Sequence, residues 1–301
     1  MEKNYKSGFV AIIGRPNVGK STLLNQILEQ KIVITTDKAQ TTRKRIKGIF
    51  TNEEGQIIFI DTPGIHKPLN KLGEYLMDEA KISVPDADLI LFLVDGTEPA
   101  GRGDKWIVDN VIKTSPHIPI LLVMNKMDNI HNTLKVEENL LTYKMLFEQN
   151  IPTVKISAKT GRNKKAVVES IMRKLPIGEK LYPDDVVTEE TIRGIAQEII
   201  REKILLNTQD EIPHSVAVLI EKFQETPTID RIYATIYCEQ MSQKGMLIGK
   251  GGSMLKTIGT EARLELERLV EKKVYLELNV KFEKDWRKKN KSLKTFGYES
   301  V

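Results

Sequence analysis

From Phe9 to Lys174, short apolar runs rich in β-branched residues alternate with longer stretches whose apolar residues recur at helical spacing. That alternation predicts a doubly wound α/β sheet. Six strands are predicted, at residues 9–14, 45–51, 56–61, 89–95, 118–125 and 153–157. Only Asn52, Glu53, Glu54 and Gly55 separate the second from the third. Four residues cannot form a crossover helix, so that pair is an antiparallel hairpin and the remaining strands run parallel. Residues 175–185, with two prolines and Gly178, then break the helical pattern. Beyond them a helix is predicted over 188–206, opening with the capping-box-like Thr188-Glu189-Glu190-Thr191. Alternating runs at 216–223 and 231–239 form a hairpin, a helix covers 253–270, and a last strand covers 274–282. The expected organisation is an α/β domain over 1–178, a linker over 179–187 and a smaller α+β domain over 188–301.

Ligands bind such parallel sheets at the carboxyl ends of the strands, and each polar motif of the first domain falls there. Gly14-Arg15-Pro16-Asn17-Val18-Gly19-Lys20-Ser21, followed by Thr22, joins the first strand to the first helix. This is a phosphate-binding loop in its strand–loop–helix setting. Its backbone N–H groups and the helix N-terminus face the β-phosphate, Lys20 reaches the β and γ oxygens, and Ser21 is a Mg²⁺ ligand. The polar segment Thr35 to Arg45 is read as a mobile loop that closes a threonine over Mg²⁺ and the γ-phosphate. Thr42 is the choice, with Thr41 the alternative. Asp61-Thr62-Pro63-Gly64 ends the third strand. Asp61 is expected at the Mg²⁺, and Gly64 lets its N–H approach the γ-phosphate. The next residue is Ile65, which cannot orient water. A lone histidine after a turn is more often structural than catalytic, so His66 is not assigned that task.

Asn125-Lys126-Met127-Asp128 follows the fifth strand and decides the base. A buried Asp128 carboxylate accepts from N1–H and the 2-amino group of guanine, whereas adenine leaves it unpaired. Lys126 lies along the base, and Asn125 ties this loop to the phosphate loop. Ser157-Ala158-Lys159 closes the pocket, with the Ala158 N–H aimed at guanine O6. The catalytic set is thus Lys20, Thr42, Asp61, Gly64 and Asn17, and the reaction is hydrolysis of GTP to GDP and phosphate.

Ile248-Gly249-Lys250-Gly251-Gly252 joins two predicted helices in the second domain. Glycine spacing alone also fits a helix C-cap. The order helix, two strands, helix, glycine turn, helix, strand is that of a type II KH domain, whose turn lets a nucleic-acid backbone approach closely. Expected RNA contacts are this turn with Lys256, Lys284, Arg287 and Lys288.

Composition adds limits. With 40% hydrophobic and 29% charged residues the chain is of ordinary globular type. Its apolar runs are strand-length, far short of a membrane span, and residues 1–8 lack the features of a secretion signal, so a cytoplasmic protein is expected. The single Cys238 sits in a β run and is read as a small buried residue. The formal net charge is +5, and Lys281, Lys284, Arg287, Lys288, Lys289, Lys291 and Lys294 gather near the end, suiting a polyanion or a solvated helix face.

With both halves read, the sequence resembles the Era family of bacterial GTPases over residues 8–298. The likeness rests on the phosphate loop through Thr22, Gln40-Thr41-Thr42-Arg43, Asp61-Thr62-Pro63-Gly64-Ile65, Asn125-Lys126-Met127-Asp128, the glycine turn, Asp285-Trp286-Arg287 and Phe296-Gly297-Tyr298. It implies a GTP-dependent switch that assists maturation of the small ribosomal subunit and holds the 3′ end of its ribosomal RNA in the KH domain. The family is also reported at the inner face of the cell membrane, so peripheral contact with anionic lipid is an expectation, as is a monomer. Related GTPases with an asparagine at the place of Asn17 use K⁺ in catalysis. Two features depart from the family's pattern. Gly259-Thr260-Glu261-Ala262-Arg263 is less basic than usual, and Asn279 stands where an aromatic is common. The alternative function, a membrane-surface signalling GTPase using the basic tail, fits the lysines but does not need a glycine turn.

Overall fold

The computed structural model describes residues 5–38, 41–65, 70–130 and 132–298. They form two compact units whose main division falls between Glu189 and Glu190.

The stretch up to Glu189 carries β1 (Lys6–Ile13), α1 (Lys20–Leu28), β2 (Ile46–Thr51), β3 (Gly55–Asp61), α2 (Lys71–Ile82), β4 (Leu89–Asp95), α3 (Arg102–Ile107), β5 (Ile120–Asn125), α4 (Thr133–Lys144), β6 (Thr153–Lys155) and α5 (Lys164–Met172). The sheet order is β2-β3-β1-β4-β5-β6. Only β2 and β3 pair antiparallel, as their short connection requires. Successive side chains of β1 go to opposite faces, Val10 and Ile12 to one core with Leu23, Leu24 and Ile171, Ala11 and Ile13 to another with Ile107 and Tyr143. Every residue of β4 is buried, as expected for a strand covered on both faces. The predicted ends shift for local reasons. β1 starts at Lys6 because Lys6 and Ser7 pair with Gly55 and Gln56. β5 starts at Ile120, after Pro119, which has no N–H for the ladder.

The stretch read as a linker is laid along the β2 side of this sheet. The Gln56 carboxamide accepts from the N–H groups of Leu181 and Tyr182 and donates to Tyr182 O, each at 2.9 Å. Ile49 N–H donates to Val187 O at 2.9 Å, and the Thr188 hydroxyl donates to Lys47 O at 2.8 Å. With Thr188 used in this way, the predicted helix does not start there. It begins at Ile192, and the Thr191 hydroxyl caps it by accepting from Gly194 N–H at 3.1 Å.

From Glu190 onward the elements are α6 (Ile192–Asn207), α7 (Ile212–Ser215), β7 (Val216–Gln224), β8 (Ile229–Cys238), α8 (Met241–Ile248), α9 (Ser253–Val270), β9 (Lys273–Phe282) and α10 (Asn290–Thr295). β7 and β8 pair antiparallel, β8 and β9 parallel. One core joins Ile199, Ile200 and Ile204 of α6 and Ile258, Ala262 and Leu266 of α9 to the inward strand residues. Cys238 is buried in it, which raises its thiol pKa. The tail read as basic surface is also an anchor. Trp286 is fully buried, donates Nε1–H to Ser215 O at 2.8 Å and packs edge-on against Phe296 at 5.3 Å.

Candidate functional site

The loops after β1, β3, β5 and β6 meet at the carboxyl end of the first sheet. In the β1–α1 loop Asn17 and Gly19 have positive φ, 63° and 100°. A Cβ on Gly19 would lie 2.3 Å from Asn125 Nδ2, so a side chain there would part the two loops. Lys20 opens α1 and is buried, its ammonium donating to the carbonyls of Gly14 and Arg15 at 3.1 Å each. Burial pulls its pKa down to about 8, against the attraction of Asp61.

The three predicted metal ligands, drawn from separate elements, come together. Ser21 Oγ donates to Asp61 Oδ2 at 2.8 Å and lies 2.8 Å from Thr42 Oγ1, which is 3.4 Å from the same carboxylate oxygen. Asp61 is fully buried, and its other oxygen, Oδ1, has no hydrogen-bond partner. Burial raises the Asp61 pKa, opposed by Lys20, Ser21 and Thr42. Two hydroxyls and a carboxylate with an unsatisfied oxygen form the all-oxygen donor set a hard cation such as Mg²⁺ takes. Of the two candidate threonines it is Thr42 that reaches this point; Gln40 lies outside the described residues. The Asp61–Gly64 segment abuts the phosphate loop. A Cβ on Gly64 would come 2.8 Å from Pro16 Cα, and the Ile65 N–H donates to Gly14 O at 3.3 Å. Thr62 is tied by its hydroxyl to Ile12 O at 2.7 Å. Ile65 is buried in the second core of the sheet, and His66 lies outside the described residues.

At the other end, Asn125 bridges three loops. Its Nδ2 donates to Val18 O at 2.8 Å and its Oδ1 accepts from Ala158 N–H at 2.8 Å. The first contact is the expected tie. The second redirects the Ala158 N–H, expected to face a base oxygen, to the Asn125 side chain. Ser157 Oγ donates to Asp128 Oδ1 at 2.6 Å, fixing the carboxylate expected to read guanine. Met127 and Val18, members of the predicted site, turn their side chains into the core, while Lys159 is exposed.

Four residues of this region were not singled out by sequence reasoning. Lys126 Nζ pairs with Asp95 Oδ2 at 2.6 Å, and Asp95 Oδ1 accepts from Thr97 Oγ1 and Thr97 N–H. Burial alone would raise the Asp95 pKa, but these bonds from Lys126 and Thr97 leave it below its ordinary value. Arg15 turns away from the loop to Asp104 Oδ1, 2.9 Å off and fully buried, and to Glu98. The available signal was the acid at the carboxyl end of β4, where ligand ends of strands collect.

In the second unit, Gly249 (φ 74°) ends α8, and a Cβ there would sit 2.7 Å from Met254 N, so the turn itself needs glycine. Gly251 and Gly252 face open space. Lys250, Lys256 and Lys284 are exposed, and Ile248 is half-buried. Arg287 differs from expectation: its guanidinium grips Glu239 Oε2, with Nε at 2.9 Å, and its backbone N–H donates to Oε1 at 3.1 Å. That ion pair spends the charge on anchoring the tail. Lys288 lies 3.2 Å from Asp285.

Residues 9–126 match the family described as 50S ribosome-binding GTPase, and residues 211–287 match the KH domain family. GTPase Era of Nostoc sp. is 49% identical over 295 residues, covering 98% of this chain and 90% of the relative. GTPase Era of Halothermothrix orenii is 45% identical, covering 98% of this chain and 99% of the relative. The chain belongs to the Era GTPase family. As an Era-family GTPase it hydrolyses GTP, and it has that family's phosphate-loop domain followed by a KH domain. Two solved Era structures are each 40% identical and cover 98% of this chain and 100% of their own. One is a point variant from Aquifex aeolicus bound to GDP.AlF4-, with TM-score 0.94. The other is Era in complex with MgGDPNP and nucleotides 1506-1542 of 16S ribosomal RNA, with TM-score 0.95.

Proposed function

We propose that this Era-family chain is a GTP-driven switch that binds the 3′ region of small-subunit ribosomal RNA and assists small-subunit assembly. The observation that carries the switch is the meeting of Ser21 and Thr42 at one oxygen of the buried Asp61 carboxylate, whose other oxygen is unsatisfied. Thr42 and Gly64 stand on the two loops that a γ-phosphate would hold, and its loss would release both. In this reading Ser21, Thr42 and Asp61 hold Mg²⁺, which supplies charge neutralisation at the β- and γ-phosphates. Lys20 and the N–H groups of residues 14–22 bind the phosphates. Asp128, braced by Ser157, reads guanine, and Lys126, braced by Asp95, lines the base. Hydrolysis forms a bond from a water oxygen to the γ-phosphorus as the bridging bond to the β-phosphate breaks. These residues position the phosphates and steady the charge that leaves with GDP.

The solved Era complex with a 16S fragment supports the RNA half of the reading, as does the exposed glycine turn with Lys250 and Lys256. A lipid headgroup needs charge but no turn of this kind. The test is Lys250→Glu, which lies in open surroundings and spares the Gly249 turn. Binding of a single-stranded small-subunit rRNA 3′ oligomer should fall about tenfold while GTP turnover of the protein alone is unchanged. Unaltered RNA affinity at moderate salt would refute the assignment.

The proposal extends to K⁺, with Asn17 and carbonyls of the loop leading to Thr42 as holders, Ala39 and Gln40 of that loop lying outside the described residues, and with charge compensation between the β- and γ-phosphates as its chemistry. Ile65 is committed to the core and cannot place water, and Asn17 stands exposed at the tip of the phosphate loop. Single-turnover hydrolysis should be faster in KCl than in NaCl of equal ionic strength, and Asn17→Ala should remove the difference. Equal rates for the parent in the two salts would end the idea.

A further inference from the structure

We propose that the sheet face opposite the helices of the KH domain is a second RNA surface, a stacking platform for unpaired bases; this rests on the RNA reading above. The strands alternate cleanly. Ile232, Ala234 and Ile236 of β8 and Val274, Leu276 and Leu278 of β9 point to the core with α6 and α9. The alternate residues, Arg231, Tyr233, Thr235 and Tyr237 of β8 and Lys273, Tyr275, Glu277, Asn279 and Lys281 of β9, therefore line the other face. A bulge between Ile220 and Lys222 of β7 sets Lys222 opposite Tyr233 and Gln224 opposite Arg231 on that same face.

One end of this face is covered, because Phe296 packs on Tyr237 at 4.6 Å. Toward the other end Tyr275 lies open and Tyr233 is half-buried. Tyr275 is 42% exposed, its ring centroid is 5.9 Å from that of Tyr233, and the Arg231 guanidinium lies 5.8 Å from the Tyr275 centroid. Parallel pairing brings this about, since Arg231 is in register with Tyr275 and Tyr233 with Glu277. The two rings are inclined at 57° and the guanidinium lies over the Tyr275 ring, so the rigid sheet holds a stepped aromatic and cationic surface at low entropic cost. Lys222, Arg231, Lys273 and Lys281 outnumber Glu221, Glu277 and Glu283 around it. Aromatic faces set in a basic surround are what a sheet presents to single-stranded nucleic acid. A lipid surface would use the lysines but not ring faces held upright on a sheet. The glycine turn belongs to the helical layer, so the two surfaces are separate and a strand must be long enough to reach both.

The experiment measures binding of the full-length protein to unstructured small-subunit rRNA 3′ oligomers. One is about four nucleotides long, enough for a KH groove; the others are about three times as long, extended at the 5′ or the 3′ end. Extension at one end should tighten binding about tenfold. Tyr275→Leu and Tyr233→Leu keep apolar bulk but remove the π face. They should abolish that gain while leaving the short oligomer and GTP turnover as in the parent, and Tyr275→Trp should keep it. Lys250→Glu weakens the short and long oligomers alike and so reports on the underlying KH reading alone. No gain from either extension, a gain that survives both leucine substitutions, or equal loss for the short oligomer would overturn the platform. So would Tyr275-dependent binding to phosphatidylserine vesicles with an undiminished RNA gain, which would assign the face to lipid.

Discussion

Lys20 shows how far one side chain's chemistry depends on burial. Its pKa of about 8 lies below the ordinary lysine value of 10.5. Between those values the unfolded chain binds more protons than the folded one, so stability rises with pH across that window. The charged lysine therefore costs the fold on the order of 3 kcal/mol below pH 8. Phosphate oxygens beside it would restore its proton. Above about pH 8, binding of GDP should take up close to one proton, and affinity should fall as pH rises, approaching tenfold per unit. Calorimetry at pH 9 in buffers of different ionisation enthalpy measures that uptake; a value near zero would show that Lys20 stays charged without phosphate. The motif lysine was legible from Gly19-Lys20-Ser21. Its lowered pKa was not, because the burial that causes it comes from elements distant in the chain.

The stretch after α5 makes the same point for an element. Two prolines and a glycine read correctly as a break in helix, but not as a segment hydrogen-bonded to the sheet. Gln56 holds it with three bonds from a fully buried carboxamide. Gln56→Leu would leave two N–H groups and a carbonyl without those partners, each such loss costing about 1–3 kcal/mol. The expected result is local opening, with amide exchange at Leu181 and Tyr182 accelerated at least about a hundredfold, read by hydrogen exchange and mass spectrometry. Unchanged exchange would mean the edge contacts of Ile49 and Thr188 suffice. The shifted start of α6 has the same origin, since Thr188 is a good cap by type but is spent on Lys47 O, and Thr191 caps instead.

For the whole molecule, the sequence by itself determined both folds and the motifs of both sites. Periods of two and of helical spacing are local properties, and phosphate loops and glycine turns work through backbone geometry that only certain residues permit. The antiparallel hairpin was equally fixed, because four residues allow no crossover. Tertiary structure decided how each polar group is spent. It chose Thr42 over Thr41 for the point shared by Ser21 and Asp61, and it gave the Ala158 N–H to Asn125. It also tied Arg287 to Glu239 and seated Trp286 beneath a tail that reads as basic surface. The aromatic face of Tyr233 and Tyr275 likewise exists only through the pairing of β8 with β9, which are far apart in sequence. Such choices depend on which distant group offers the nearest partner and on how much water is excluded there. Neither quantity is carried by residue type or spacing along the chain.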